Sequence, residues 1–167
     1  FILSALVAFG PMSIDMYLPA FASIATDFNV DVSFVQYTLA SFNIGIAIGQ
    51  IFYGPLSDQF GRKQILLSGM AIYFLASIGC ALDYDIDSMI YLRFIQAIGG
   101  CAGMVTARAV VRDHFHGNQA ARVFSTMMLI MEIAPIVAPT VGGLALIYFN
   151  WRFIFWLLAV ISALAII

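Results

Sequence analysis

The chain has 167 residues, of which 63% are hydrophobic and 10% are charged. Because soluble domains contain about 25% charged residues, this composition excludes a protein whose surface lies mostly in water. The net charge of −2 provides no basic surface for nucleic acid, so we expect no nucleic-acid partner.

Apolar runs of about 20 residues recur along the chain, and that length crosses a hydrocarbon core of about 30 Å. They predict membrane-spanning helices at residues 1–26, 32–55, 64–82, 89–111, 121–146 and 151–167. The connections are short, which makes neighbouring helices antiparallel. Residues 1–167 are thus predicted to form one all-α, six-helix bundle in a lipid bilayer. Because the chain starts at Phe1 and stops within an apolar run, we expect a fragment of a longer protein.

The first predicted span holds an acid between two prolines, in the stretch GPMSIDMYLP. Asp15 lies near the bilayer midplane, where an ionisable group costs at least ~2.5 kcal/mol and is a functional candidate by default. Pro11 and Pro19 interrupt the helix on both sides and share its face, which we expect to look into a cavity. There the acid could exchange a proton. The alternative is a structural acid, neutralised by a proton or by a partner in the bundle.

The second connection reads GPLSDQFGRK, in which Gly54 and Pro55 are predicted to end the second helix and Gly61 to permit a tight turn. We expect a charge cluster made of Asp58, Arg62, Lys63 and Asp113. The second and fourth connections also contain most of the basic residues of the connections, which predicts that they and both ends of the fragment are cytoplasmic. The alternative is that the basic residues only set this topology.

The fourth and fifth spans contain further charges. Arg93 lies over a turn inside the fourth span, where one interpretation is an arginine whose side chain extends to the membrane surface. Glu132, midway through the fifth span, is either a substrate or proton site or a partner of Arg93 or Arg108. Met131 and neighbouring methionines could form a deformable binding surface.

No chemistry of an enzyme is evident in the sequence. His114 and His116 lie two residues apart without further ligands, so we expect no metal site. Neither a phosphate-binding glycine loop nor a nucleophile–base pair occurs, and we expect no cofactor.

Three motifs resemble those of the major facilitator superfamily. GPLSDQFGRK at residues 54–63 matches its signature between the second and third helices. RFIQAIG at residues 93–99 resembles its fourth-helix pattern, and APTVGG at residues 138–143 its fifth-helix antiporter pattern. With IDMYLPA in the first helix, the chain resembles the amino-terminal half of a twelve-helix Bcr/CflA transporter, a group of proton-coupled drug exporters.

This resemblance implies a proton-coupled antiporter of the inner membrane that exports drug-like compounds by alternating access. Its partners would be a small-molecule substrate, protons and a missing carboxy-terminal six-helix half. It implies that Asp15 and Arg93 face each other, that Arg93 tunes the protonation of Asp15 or Glu132, and that the charge cluster latches the two halves. The expected cavity residues are Asp15, Gln96, Met131 and Glu132, and the expected antiporter-helix residues are Pro135, Pro139, Gly142 and Gly143. The alternatives are a metabolite carrier of the same superfamily and a non-transporting helical membrane protein.

Overall fold

The structure is a computed structural model that describes residues 2–166. The described chain is helical throughout and is connected by short turns. The helices are α1 (Ile2–Asp15), α2 (Phe21–Phe28), α3 (Val32–Phe60), α4 (Arg62–Leu82), α5 (Ile86–His114), α6 (Gly117–Tyr148) and α7 (Trp151–Ile166), with a 3-10 turn at Leu18–Ala20 between α1 and α2. The predicted all-α membrane fold is confirmed.

Five segments are long and apolar enough to cross a membrane: Leu6–Phe28, Val32–Phe60, Arg62–Leu82, Ile86–His114 and Gly117–Tyr148. The sixth predicted span corresponds to α7, a shorter apolar helix. Several helices run beyond their predicted spans, because a helix does not have to end where its residues become polar.

The first span is divided, as Pro19 predicts. Asp15 is the last residue of α1, and the N–H of Tyr17 bonds the carbonyl of Ile14 at 3.2 Å, a tighter pattern than that of an α-helix. Pro19 lies in the 3-10 turn and has no N–H with which to continue the ladder. Pro11 lies inside α1 without ending it, so the predicted interruption on that side is wrong.

The predicted end of the second helix at Gly54 and Pro55 is also wrong, since α3 continues to Phe60. The hydroxyl of Ser57 donates to the carbonyl of Gly54 at 3.0 Å, and this local hydrogen bond supports the turn that contains the proline. The helix ends instead at Gly61, whose φ of 89° lies in the region that favours glycine.

Helix α5 is the centre of the bundle, since it packs against α1, α3 and α4, while α4 also contacts α7 and α1 contacts α6. Close approach depends on small residues. A Cβ at Gly45 of α3 would lie 2.7 Å from the carbonyl oxygen of Phe94, and one at Gly99 of α5 would lie 2.5 Å from the backbone nitrogen of Tyr73. Both glycines therefore let α5 pack closely against α3 and α4.

At one end of the bundle, a polar cluster joins the end of α2, the α4–α5 connection and the start of α7. Asp27 accepts from the indole N–H of Trp151 at 2.7 Å and pairs with Arg152 at 3.1 Å. Arg152 also donates to the carbonyl of Asp83 at 3.1 Å. These contacts tie the end of α2 to the end of α4 and the start of α7.

Candidate functional site

Arg93 is completely buried at the centre of the bundle. Its guanidinium donates to the side-chain oxygen of Gln96 at 2.8 Å, and it lies 4.4 Å and 4.3 Å from the ring centroids of Tyr17 and Phe42. In the described part of the chain no carboxylate lies within ion-pair distance of it. The aromatic faces and hydrogen bonds therefore offset the cost of burying this charge. The structure does not show the alternative of an arginine extending to the surface.

Arg93 also fills a gap that the divided first span creates. It donates to the carbonyl of Ser13 at 3.1 Å. In an uninterrupted helix that carbonyl would accept from the N–H of Tyr17, which bonds Ile14 instead. A buried carbonyl without a donor is costly, so Arg93 acts as a side-chain cap for the end of α1. It holds the backbone in place two residues before Asp15.

Asp15 is partly buried, and within residues 2–166 no hydrogen bond or ion pair to its carboxylate is formed. Pro11 is partly buried and Pro19 is exposed, so the side of the first span that holds all three residues is not sealed by the other helices. The structure does not bring Asp15 into an ion pair with Arg93. The buried guanidinium instead donates to the backbone carbonyl of Ser13, two residues before Asp15. The carboxylate of Asp15 has no partner among the described residues.

Gln96 is buried and does not line a groove with Glu132. Its amide donates to the hydroxyl of Ser77 at 2.7 Å, and Ser77 donates to the carbonyl of Tyr73 at 2.7 Å. The hydroxyls of Tyr73 and Ser13 lie 2.5 Å apart. The residue expected in the cavity is thus part of a buried polar network between α1, α4 and α5, because its face of α5 packs against the bundle.

Several residues of this network were missed in the sequence. Ser13, Tyr17, Tyr73 and Ser77 have hydroxyl groups inside apolar spans, and a second bond joins Tyr17 to Thr38 at 2.7 Å. A polar group buried in a membrane span needs a partner. That requirement is the signal that could have identified these residues, although it does not say which of them meet.

Met131 and Glu132 line a groove of about 430 Å³ between α1, α5 and α6, which we name the charged groove. Its other lining residues are Val7, Arg108, Phe124, Met127 and Met128. Glu132 and Arg108 are exposed, and neither forms an ion pair within the described residues. Arg93 and Arg108 were the two partners predicted for Glu132, and neither forms an ion pair with it. Arg93 is buried away from the groove, and Arg108 lines the groove without reaching Glu132.

The predicted charge cluster assembles around Arg62, at the start of α4. The guanidinium pairs with Asp58 at 2.5 Å and with Asp113 at 3.1 Å, and it also contacts the hydroxyl of Ser57. Lys63 is exposed and forms no ion pair with a described residue. Because Asp113 lies near the end of α5, the cluster links the α3–α4 connection to that helix. Gly54 lines a second cavity beside it, of about 590 Å³.

Helix α6 contains the residues of the antiporter pattern. It continues through Pro135 and Pro139 without a break. A Cβ at Gly142 would overlap the carbonyl oxygen of Met16, whereas one at Gly143 would meet nothing within 4 Å. The glycine at 142 therefore lets α6 approach the backbone of the divided first span.

Comparison with known proteins identifies similar chains. A model of the Major Facilitator Superfamily matches residues 3–167. A bicyclomycin resistance protein homolog of Haemophilus influenzae is 41% identical, over 93% of this chain and 39% of its own length. Multidrug resistance protein D of Escherichia coli is 34% identical, over 95% of this chain and 40% of its own length. An uncharacterized MFS-type transporter of Bacillus subtilis is 40% identical, over 100% of this chain and 42% of its own length. The chain spans about two fifths of the length of these relatives.

Proposed function

We propose a function from one premise, that this chain belongs to the Major Facilitator Superfamily, as the match over residues 3–167 and the relatives show. The family and these relatives are transporters and not enzymes. The chain corresponds to the amino-terminal half of such a transporter. The proposals below therefore concern the whole transporter to which it contributes.

The proposed function is proton-coupled export of drug-like, amphipathic compounds across the inner membrane by alternating access. The names of two relatives, a bicyclomycin resistance protein homolog and a multidrug resistance protein, support a drug as the substrate. Proton coupling is supported by one observation above all. Asp15 is an acid in the middle of a divided membrane span, and its carboxylate has no partner among the described residues.

An acid in this position can couple two fluxes because its two protonation states differ by a full charge inside the membrane. The ionised form attracts a cationic substrate, and the protonated form, which has no net charge, does so far less. Substrate and proton then compete for the same group, so that release of one accompanies binding of the other. Membrane acids that face a cavity commonly serve such relays.

Arg93 is proposed to act on this acid through the backbone. By capping the carbonyl of Ser13, it fixes the end of α1 and with it the direction in which Asp15 points. This makes Arg93 a positioning residue of the coupling site, whose members are proposed to be Asp15, Arg93 and Glu132. This indirect role replaces the expectation that Arg93 and Asp15 face each other across the cavity.

The remaining motifs are proposed to serve the conformational cycle. The cluster of Asp58, Arg62 and Asp113 is proposed to latch the two halves of the transporter, and within this half its ion pairs at 2.5 and 3.1 Å join α3, α4 and α5. A second six-helix half is the proposed partner of the exposed apolar faces of α3 and α6. The α3–α4 and α5–α6 connections and both ends of this chain would then be cytoplasmic.

The test is export by the full-length transporter in inside-out membrane vesicles with an imposed pH gradient. We expect a panel of amphipathic drugs to be transported, and an uncoupler to abolish the transport. The variant Asp15→Asn should keep its level in the membrane but lose gradient-driven export, while the matched variant Asp87→Asn, at an exposed acid in the first turn of α5, should export normally. Full gradient-driven export by Asp15→Asn would refute the proposal.

A further inference from the structure

We propose that the charged groove is a subsite for an amphipathic zwitterion. Glu132 would bind a cationic amine at one end of the ligand and Arg108 a carboxylate at the other, with the methionines in contact with the apolar body between. This inference rests on the proposed function, and it names a substrate class for the groove that Glu132 lines.

The first support is that neither charge of the groove has an ion-pair partner among the described residues. Glu132 lies near the middle of α6, where an acid that faced hydrocarbon would cost several kcal/mol, so its face of the helix belongs to a wet or ligand-filled space. Arg108 lines the same space. No described acid pairs with Arg108 and no described base with Glu132. The groove therefore presents one charge of each sign that no described residue pairs.

The second support is the separation of the two charges. Helices α5 and α6 are antiparallel and are joined by the short connection at residues 115–116. At a rise of about 1.5 Å per residue, Arg108 lies about 9 Å from that end of α5 and Glu132 about 22 Å from that end of α6. The two backbone positions thus differ by about 13 Å along the helix axes. Since the two side chains start this far apart and form no ion pair within the described residues, a ligand that meets both charges needs its own charges on separate parts of its body.

The third support is the apolar wall between the charges. Met127, Met128 and Met131 line it together with Phe124. Methionine is flexible and polarizable, so such a wall adapts to ring systems of different outline. The volume of about 430 Å³ also falls in the range of about 300–1,000 Å³ typical of drug-sized ligands.

These features favour a zwitterion over an ion of a single charge. A ligand with only a positive charge would pair with Glu132 and leave Arg108 without a partner. A ligand with only a negative charge would pair with Arg108 and leave Glu132 without one. A ligand with both charges satisfies both side chains at once. A hydrogen bond to a charged group is stronger than one between neutral groups, so each end should raise affinity by about tenfold.

The experiment measures equilibrium binding to the purified full-length transporter in lipid nanodiscs, so that it does not depend on transport. The probes are an aromatic compound with an amine and a carboxylate at opposite ends, its methyl ester, which is only cationic, and its N-acetyl derivative, which is only anionic. We expect the zwitterion to bind about tenfold more tightly than either derivative.

The variants then assign each end. Glu132→Gln should weaken the zwitterion and the ester about tenfold and leave the N-acetyl derivative unchanged, whereas Arg108→Gln should weaken the zwitterion and the N-acetyl derivative and leave the ester unchanged. Arg122→Gln, at an exposed arginine of α6 outside the groove, is the matched control and should change nothing.

Three outcomes would overturn the inference: equal affinity for the three probes, loss of all probes alike in one variant, or wild-type affinity for the zwitterion in a variant that combines Glu132→Gln with Arg108→Gln. The proposed function is tested separately, by measuring the export of uncharged and monocationic drugs by the wild type in vesicles. If that export is coupled to protons while the variants bind the zwitterion normally, only the subsite is refuted.

Discussion

Replacement of Arg93 by methionine tests whether this side chain stabilises the divided first span. Arg93→Met keeps most of the side-chain volume but removes the donors to Ser13 and Gln96 at a fully buried position. Each acceptor left without a donor costs about 1–3 kcal/mol, and the loss of the buried charge offsets part of that cost. We expect the free energy of unfolding to fall by about 2–4 kcal/mol.

The assay is equilibrium unfolding of the full-length transporter in mixed micelles, combined with thiol labelling at the exposed position of Leu18 next to the break. Both native cysteines of this chain, Cys80 and Cys101, are buried, so labelling of a Leu18→Cys variant reports on the break. Arg93→Met should increase its labelling rate, and Arg93→Lys should have an intermediate effect because lysine keeps the charge but not the planar fork. If Arg93→Met unfolds like the wild type and its labelling is unchanged, the capping role is refuted.

Two further predictions concern packing and pH. Gly142→Ala should lower the yield of folded transporter, because its Cβ would overlap the carbonyl oxygen of Met16, while the adjacent Gly143→Ala should be neutral in the same detergent-extraction assay; equal yields would contradict the packing. Hydrogen bonds from Ser33 lower the pKa of the Asp31 carboxyl, which caps α3. The stability that this cap contributes is therefore present above the ordinary value of 3.8 and is lost as the pH falls through the lower pKa of the folded state. Ser33→Ala should make the melting temperature fall less steeply at acidic pH. The same fall in the variant and the wild type would contradict the role of this cap.

The parts of the fold that could be predicted depend on local chemistry. Apolar length determines which segments can cross a membrane, and Pro19 has no N–H wherever the rest of the chain lies. The meeting of Arg62 with Asp113 was also predictable, because short connections place the end of α3, the start of α4 and the end of α5 at one end of the bundle. Each of these features needs only the sequence and the order of the helices.

Other features depend on which faces the helices present to one another, and the sequence alone does not determine these. Arg93 was expected to face Asp15, but its face of α5 packs into the bundle, where aromatic rings and a backbone carbonyl replace the carboxylate. Gln96 follows Arg93 into the core for the same reason. The bond between Trp151 and Asp27 joins residues 124 positions apart, and no spacing pattern predicts it.

Proton release on ligand binding is the most direct test of the coupling role of Asp15. The full-length transporter, in a weakly buffered detergent solution with a pH-sensitive dye, should release protons when a transported drug binds at a pH where the acid is protonated. We expect Asp15→Asn to bind the drug without that release and Asp87→Asn to behave like the wild type. Undiminished proton release by Asp15→Asn would show that another group couples the two fluxes.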